Sequence, residues 1–261
     1  MTRMTQRRQV TRVDSEVAVA RPDTLAVEEP QEIRVNSQPV SITMRTPGHD
    51  LDLALGFLVT EGVVQDPDDV AAAINCADNV VDVTLQDVAT LAPRSFYTSS
   101  SCGICGKSSI DAVRTSSSYD VATDPLVVTS GVITALPERL RAEQRVFDRT
   151  GGLHAAGLFD SSGALVCLRE DVGRHNAVDK LVGWAVQQKQ LPLRGHVLQV
   201  SGRASFELVQ KAVMAGISVL SAVSAPSSLA VQLADETGLT LIGFVRGTSF
   251  NVYAGGQRLS L

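Results

Sequence analysis

The chain of 261 residues contains only four cysteines and no long apolar run. Four cysteines are too few to hold a disulfide scaffold together, so a reducing cytoplasm is the expected location. The longest apolar stretches, such as residues 53–59 and 217–223, are far shorter than the roughly 18–20 residues that cross a bilayer. The polar N-terminus also lacks the apolar segment that directs secretion. We therefore expect no membrane partner.

A surplus of basic residues is also missing. Lys and Arg number 23 against 28 Asp and Glu, which gives a net charge of −5. General nucleic-acid binders normally carry a basic surplus, so we expect no nucleic-acid partner. Apolar residues make up 44% and charged residues 20% of the chain, which is typical of folded globular proteins.

Composition divides the chain into four parts. Residues 1–16 contain four arginines and no acid in their first twelve positions, which predicts a disordered basic tail. Residues 17–92 combine alternating strand patterns with a helical run after Asp50, which predicts a small α+β domain. Residues 93–124 are rich in serine and glycine and predict a mobile loop at a domain boundary. Residues 125–261 have the pattern of an α/β domain.

Helices and strands alternate through this last part. Pro137 begins a predicted helix that ends near Asp148, and residues 153–168 predict a hairpin. Further predicted elements are a helix at 174–188, a strand at 196–200, a helix at 205–215, a strand at 217–223, a helix at 227–236 and a strand at 239–245. Strand–helix–strand units of this length require parallel pairing, so we expect a mostly parallel sheet covered by helices.

Polar and basic residues follow these predicted strands. Ligands of an α/β sheet bind outside the carboxyl ends of its strands, and turns rich in Ser, Gly and Arg stand there. They occupy residues 171–176, 201–205, 224–228 and 244–249. Free backbone N–H groups at helix starts and the guanidinium groups of Arg203 and Arg246 favour an anion. Together these turns predict a phosphorylated or nucleotide-like ligand.

A Cys-x-x-Cys motif, Cys102 to Cys105, lies in the Ser- and Gly-rich loop. A structural zinc site needs two more ligands, but Cys76 and Cys167 are isolated and are expected to be buried thiols. Two chemistries remain open for the motif: a redox-active dithiol, or a thiolate that carries sulfur as a persulfide. Lys107 and the absence of acids between Asp87 and Asp111 favour a lowered thiol pKa. These features do not distinguish Cys102 from Cys105 as the cysteine that carries sulfur.

The segment around His154 invites comparison with zinc nucleobase deaminases, whose signature is His-x-Glu followed by Pro-Cys-x-x-Cys. Ala156 stands where the proton-shuttling Glu is needed, and only Cys167 follows downstream. A Gly-x-Ser-x-Gly nucleophile elbow is missing as well. We therefore expect neither deamination nor Ser-His-Asp hydrolysis, and no bound structural metal.

Six blocks in order along the chain resemble the formate dehydrogenase accessory protein (FdhD) family. They are MRTPGHD at 44–50, SCGICGK at 101–107, TGGLHAA at 150–156, EDVGRHNAVDK at 170–180, SGR at 201–203 with SFELVQK at 205–211, and RG at 246–247 with NVY at 251–253. The resemblance covers nearly everything from about residue 28 to residue 253. It implies a cytidine-deaminase-like three-layer α/β domain without its zinc site, following the small α+β domain.

The resemblance also implies a function. Family members are sulfurtransferases that take persulfide sulfur from a cysteine desulfurase and deliver it to the molybdenum bis(guanine dinucleotide) cofactor before its insertion into formate dehydrogenase. The persulfide cysteine corresponds to Cys102, with Cys105 as its partner. The cofactor-binding segment corresponds to Phe244, Val245, Arg246, Gly247, Thr248 and Ser249. Arg203 and His175 are further candidate contacts, and a cytoplasmic homodimer is expected.

Two other functions are compatible with the same residues. One is a non-catalytic chaperone that binds the molybdenum cofactor, in which the cysteines only touch the ligand. The other is a dithiol oxidoreductase, in which Cys102 and Cys105 cycle through a stable disulfide.

Overall fold

We describe the fold from a computed structural model that covers residues 4–64, 66–86 and 117–260. Cys102 and Cys105 lie outside these residues, as does most of the predicted loop at 93–124. None of the helices in the described ranges is long and apolar enough to cross a membrane.

The described residues form fourteen strands and six α-helices. The strands are β1 (Thr5–Asp14), β2 (Val17–Ala26), β3 (Glu29–Val35), β4 (Gln38–Arg45), β5 (Val70–Ala77), β6 (Val80–Leu85), β7 (Val128–Thr129), β8 (His154–Phe159), β9 (Leu165–Asp171), β10 (Val197–Val200), β11 (Val219–Ala222), β12 (Thr240–Arg246), β13 (Ser249–Ala254) and β14 (Leu259–Ser260). The helices are α1 (Asp50–Thr60), α2 (Ser130–Glu143), α3 (Arg145–Thr150), α4 (Arg174–Gln187), α5 (Phe206–Met214) and α6 (Ser228–Thr237).

A six-stranded sheet in the order β13-β12-β11-β10-β8-β9 forms the centre of the molecule. The α/β class is confirmed, and β10, β11 and β12 pair in parallel as expected. The expectation of a mostly parallel sheet is wrong, because β13, β8 and β9 all pair antiparallel to their neighbours. A two-residue turn at Gly247 and Thr248 returns β13 beside β12, where no crossover helix is possible.

Helices cover both faces of this sheet. On one face, α2 packs Ile133, Leu136 and Leu140 against a small apolar core. On the other face, α4, α5 and α6 contribute to a larger core. That core continues through α1 to a second sheet of four strands, in the order β4-β3-β6-β5. The division into domains at residues 92 and 125 stays a prediction.

The helices α1 and α4 cross with their backbones in contact. A Cβ atom on Gly56 would lie 1.8 Å from the carbonyl oxygen of Asp179. A Cβ atom on Gly183 would lie 1.7 Å from the carbonyl oxygen of Asp52. Glycine is required at both positions because no side-chain atom fits between the two backbones.

The predicted disordered tail at residues 1–16 is corrected by the structure, in which β1 forms a hairpin with β2. Ten residue pairs hold the hairpin, including Arg8 opposite Asp23. A bond from the N–H of Val27 to the carbonyl of Met4 closes the base of the hairpin, and Arg149 of α3 donates to the hydroxyl of Thr5. Cross-strand pairing orders an arginine-rich segment whose own sequence has no apolar pattern.

Two local predictions are also corrected. The predicted helix does not begin at Pro137, because α2 begins at Ser130 and contains Pro137 within it. Thr129 caps this helix by accepting a hydrogen bond from the N–H of Val132. At the end of the predicted loop, Val121 is buried and the hydroxyl of Ser117 donates to the carbonyl of Val213, so residues 117–124 pack on the domain.

Candidate functional site

The structure brings the predicted polar turns to one edge of the large sheet. The strands β10, β11 and β12 run in parallel and end together at this edge. Because β8 pairs antiparallel with β10, and β9 with β8, the start of β8 and the end of β9 also lie there. Residues 171–176, 201–205, 224–228 and 244–249 therefore share one side of the molecule. This is where an α/β sheet binds its ligands.

A cavity of about 1550 Å³ opens at this edge, on the face of the sheet that α2 covers. Five of the eight residues predicted to bind the cofactor line it: Phe244, Val245, Arg246, Gly247 and Ser249. Arg203 and His175 do not. Thr248 is exposed and does not line it. Other lining residues come from the α2–α3 region, the start of β8 and the ends of β10 and β11, and include Leu140, Arg141, Leu153, His154, Ser201 and Ser224.

Phe244 holds an unusual conformation at the mouth of this cavity. Its φ angle is 54°, in the left-handed region that side chains other than glycine rarely adopt. The pairing of β12 with β13 shifts register here, so Val245 enters the core while the Phe244 ring stays 47% exposed. Its N–H donates to the carbonyl of Ser224, 3.2 Å away, which fixes the backbone. Strained residues that hold an aromatic ring in solvent are typical of binding sites.

Basic side chains stand at the same edge on the opposite face, where α4 and α5 begin. Arg174 is the first residue of α4, and Arg203 lies in the turn that enters α5. His154 stands between these arginines and the cavity. Burial and, next, the charge of Arg174 lower the pKa of His154; Asp171 opposes them, and Arg203 adds a lowering effect smaller than that of Asp171. A neutral imidazole therefore stands among positive charges near neutral pH.

The model of the FdhD/NarQ family matches residues 26–260 of this chain. The chain belongs to the FdhD/NarQ family. It is 59% identical to the "Sulfur carrier protein FdhD" of Streptomyces coelicolor over 276 residues, a match that covers 100% of this chain and 98% of that protein. The protein of the same description from Mycolicibacterium paratuberculosis is 54% identical over 273 residues, covering 98% and 99%.

A solved structure has the same fold. It is described as a putative formate dehydrogenase accessory protein from Desulfotalea psychrophila and matches with a TM-score of 0.81. The match covers 99% of this chain and 100% of that chain at 20% sequence identity. The likeness shows that the two chains share their architecture.

In this family member His175 lies outside the residues that line the cavity. Its Nε2 is 3.3 Å from the hydroxyl oxygen of Ser205 and 3.8 Å from a carboxylate oxygen of Glu207. Burial, with the positive charges of Lys211 and Arg174, lowers the pKa of His175 to about 4. The neutral ring thus joins the first turns of α4 and α5. The structure places its contacts inside the protein.

Asp171, in the turn at 171–176, is also bound to other residues of the protein. The carboxylate of Asp171 is buried and lies 2.7 Å from the Nζ of Lys180, which is also buried. Its oxygens accept hydrogen bonds from the N–H of Thr46 and Gly173 and from the amide of Asn176. These residues, prominent among the sequence blocks, hold β4 and the start of α4 together.

A second buried ion pair joins α1, α4 and α5. The Nζ of Lys211 lies 2.9 Å from Asp179 and also contacts Thr60 and Glu61. Burial works to lower the pKa of Lys211, but the two carboxylates raise it overall. This network stabilises the contact between the three helices.

The two described cysteines differ in their surroundings. Cys167 is buried beside Arg169, and burial raises its pKa to about 11. Cys76 was expected to be buried, but it is exposed on β5, an edge strand of the smaller sheet. Within residues 4–64, 66–86 and 117–260, no group of three His, Cys, Asp or Glu side chains is arranged to hold a metal ion.

Proposed function

We propose that this FdhD/NarQ family member carries sulfur as a persulfide on Cys102 and delivers it to the molybdenum bis(guanine dinucleotide) cofactor, its bound substrate. The sulfur comes from a cysteine desulfurase, and the product serves formate dehydrogenase in the cytoplasm. The relatives described as sulfur carrier proteins and the Cys-Gly-Ile-Cys motif support this proposal. The observation that carries it is a large cavity at the strand ends, lined by an aromatic ring and by Arg246, which forms no ion pair with any described residue.

The cavity suits one nucleotide end of this substrate. Its volume of about 1550 Å³ exceeds the roughly 300–1,000 Å³ of ordinary small-molecule sites, which leaves room for one nucleotide of a large ligand. The exposed ring of Phe244 offers a flat surface for a purine base, and Leu153 and Val245 add apolar walls. Arg246 lines the cavity and forms no ion pair with any described residue, which leaves its guanidinium available for phosphate.

The cysteine pair provides a complete sulfur-transfer cycle. The Cys102 thiolate attacks the outer sulfur of the desulfurase persulfide, and the desulfurase cysteine leaves as a thiolate. Cys105 then attacks the inner sulfur of the Cys102 persulfide, and the outer sulfur leaves as hydrosulfide for the cofactor. The two cysteines supply the two electrons and become a disulfide. A dithiol reductant restores both thiols.

Chain length allows the cysteine pair to reach the cavity. Ser117 is bonded to Val213 in the last turn of α5, which is the end of the helix away from the ligand edge. The seven residues of β12 span about 23 Å of the sheet. Cys102 precedes Ser117 by 15 residues, and an extended chain of that length reaches roughly 50 Å. A homodimer is part of the proposal and follows the expectation for the family.

The proposal is tested in a strain that lacks this protein. Formate dehydrogenase activity is measured after complementation with the wild-type chain and with the variants Cys102→Ala, Cys105→Ala and Cys167→Ala. We expect loss of activity with Cys102→Ala, strong reduction with Cys105→Ala and full activity with Cys167→Ala. Full activity with both Cys102→Ala and Cys105→Ala would rule out sulfur transfer and favour a non-catalytic cofactor chaperone.

A further inference from the structure

The strand β5 forms one edge of the four-stranded sheet and carries no charged residue. Among the described strands it pairs with β6 alone. Six of its eight residues are exposed, and the side chain of Ile74 is 56% exposed. Edge strands are usually protected by charged side chains or proline: β4 contains Pro39, and β9 contains Arg169 and Glu170. The strand β5 lacks these side chains, which keep another strand from pairing.

A groove of about 1040 Å³ lies beside the first half of β5. Its lining includes the four consecutive residues 70–73. Successive side chains of a strand point to opposite faces of the sheet. A groove that contacts four of them in a row therefore follows the outer edge of β5, the side away from β6. Its apolar walls come from α1, the end of α4 and the turn after it, and include Leu51, Leu55, Val186, Leu191 and Pro192.

Acidic residues stand at both ends of β5. Asp66, Asp68 and Asp69 precede the strand, and Asp78 follows it. Lys189 is the one base among the described residues that line the groove. If two copies of β5 paired about a twofold axis, the start of each strand would meet the end of the other, and like charges would face each other. The charges therefore disfavour a second copy of this chain and favour a basic partner.

We propose that β5 binds an extended segment of a partner protein, which adds a fifth strand to the smaller sheet. Alternate apolar side chains of the segment enter the groove, and basic residues at its ends face the acids. Backbone hydrogen bonds to the outer edge supply the affinity, and the groove and the acids supply the specificity. Residues 72–75 pair regularly with β6, whereas the register shifts on either side of them. The added strand therefore pairs with this central stretch.

This surface uses none of the residues that line the cavity at the strand ends. The inference therefore stands or falls separately from the proposed sulfur transfer. It identifies the partner by its chemistry, as an extended segment with alternating apolar side chains and basic ends.

Binding of labelled peptides to the full chain, measured by fluorescence anisotropy, tests this inference. The probe is a short peptide of alternating valine and threonine with an arginine at each end. We expect it to bind the wild-type chain at least about tenfold more tightly than the same peptide with prolines at its centre, because proline has no backbone N–H to donate. Asp68→Asn should weaken binding of the arginine peptide by about threefold. It should leave a peptide with glutamine ends unaffected.

A matched pair of variants locates the site. Ile74→Lys places a positive charge at the centre of β5, so we expect at least about tenfold weaker binding of the arginine peptide. Ile42→Lys makes the same change on β4, at the opposite edge of the same sheet, where Ile42 is 58% exposed. It should leave binding unchanged. Both side chains are exposed, and urea unfolding checks that the variants are folded.

Three results overturn the inference. The first is no binding of the arginine peptide by the wild-type full chain, which would mean that the outer edge of β5 is closed. The second is equal binding by the wild-type chain and Ile74→Lys, or an equal loss in Ile74→Lys and Ile42→Lys. The third is a dimer that sedimentation detects in the wild-type chain and that Ile74→Lys dissociates, because β5 would then be a contact between two copies.

Discussion

Replacing Gly183 with alanine places a methyl group inside the contact between α1 and α4. The new Cβ atom would lie 1.7 Å from the carbonyl oxygen of Asp52, whereas ordinary contacts of this kind begin near 3.4 Å. The two backbones must therefore separate by roughly 1.7 Å. A gap of about 0.5–1 Å already removes a quarter to a half of the dispersion energy of the facing atoms. We expect Gly183→Ala to lower the free energy of unfolding by at least about 3 kcal/mol, which is the upper end of the usual cost of overpacking a core.

Gly131 provides the matched control. It lies in α2, and a Cβ atom there meets nothing within 4 Å. Gly131→Ala is expected to stabilise the protein by about 0.5 kcal/mol, since alanine restricts the unfolded chain and favours the helix. Equilibrium urea unfolding is followed by the fluorescence of Trp184, the single tryptophan, which neighbours Gly183 in α4. Gly183→Ala with wild-type stability, or a gain like that of Gly131→Ala, would refute the helix contact.

Three further predictions concern the buried polar groups and the strained ring. Lys180→Met leaves the Asp171 carboxylate buried and unpaired, so we expect about 3–5 kcal/mol less unfolding free energy in urea; a loss below 1 kcal/mol would contradict this. The pKa of His175 is lowered to about 4 in the folded state, so its stabilising contribution is present above pH 6.5 and is lost as the pH falls toward 4. Wild type should lose about 2 kcal/mol more than His175→Gln between pH 7 and pH 5, and equal losses in the two unfolding series would refute it. Phe244→Gly and Phe244→Ala should both weaken GDP binding, but the glycine variant should be about 1 kcal/mol more stable because it relieves the positive φ; equal stabilities would argue against strain.

The centre of the fold follows from local pattern. The strands β10, β11 and β12 are short apolar runs, each separated from the next by one amphipathic helix, and such units pair in parallel wherever they occur. The hairpin of β8 and β9 also follows from local pattern, whereas β13 and β1 do not. The polar residues of β13 and the arginines of β1 have no periodicity that indicates burial, and both strands are ordered by their hydrogen-bonded neighbours.

The start of α2 at Ser130 also has no clear signal in the local sequence. Proline usually marks the first turn of a helix, so Pro137 was a natural place to begin one. The actual start is set by Thr129, whose hydroxyl caps the helix, and by Ile133, which is buried one turn before Pro137. The burial of Ile133 depends on the sheet face that α2 covers, and the local sequence gives no sign of it.

The ligand edge was predictable because parallel strands share one polarity. The position of His154 in the cavity wall could not be predicted. It depends on β8 lying antiparallel beside β10, and no local sequence signal specifies that neighbour. At the turn at 171–176, the sequence predicted ligand contacts where the structure shows contacts within the protein. Its acid, glycine, arginine and histidine are the residue types of a ligand-binding turn, but Asp171 is neutralised by Lys180 from within the protein. Residue types alone do not distinguish these two uses.

Sulfur carriage by Cys102 is tested most directly by mass spectrometry. The purified full chain is incubated with a cysteine desulfurase and cysteine, and thiol-blocked peptides are then analysed for the mass of one added sulfur atom. We predict added sulfur on the Cys102 peptide of both the wild-type chain and the Cys167→Ser variant. Cys167 should not contribute, because burial raises the pKa of its thiol to about 11 and keeps it unreactive. The Cys102→Ser variant is predicted to gain none. Equal sulfur loading of Cys102→Ser, or none on the wild-type chain, would contradict the account.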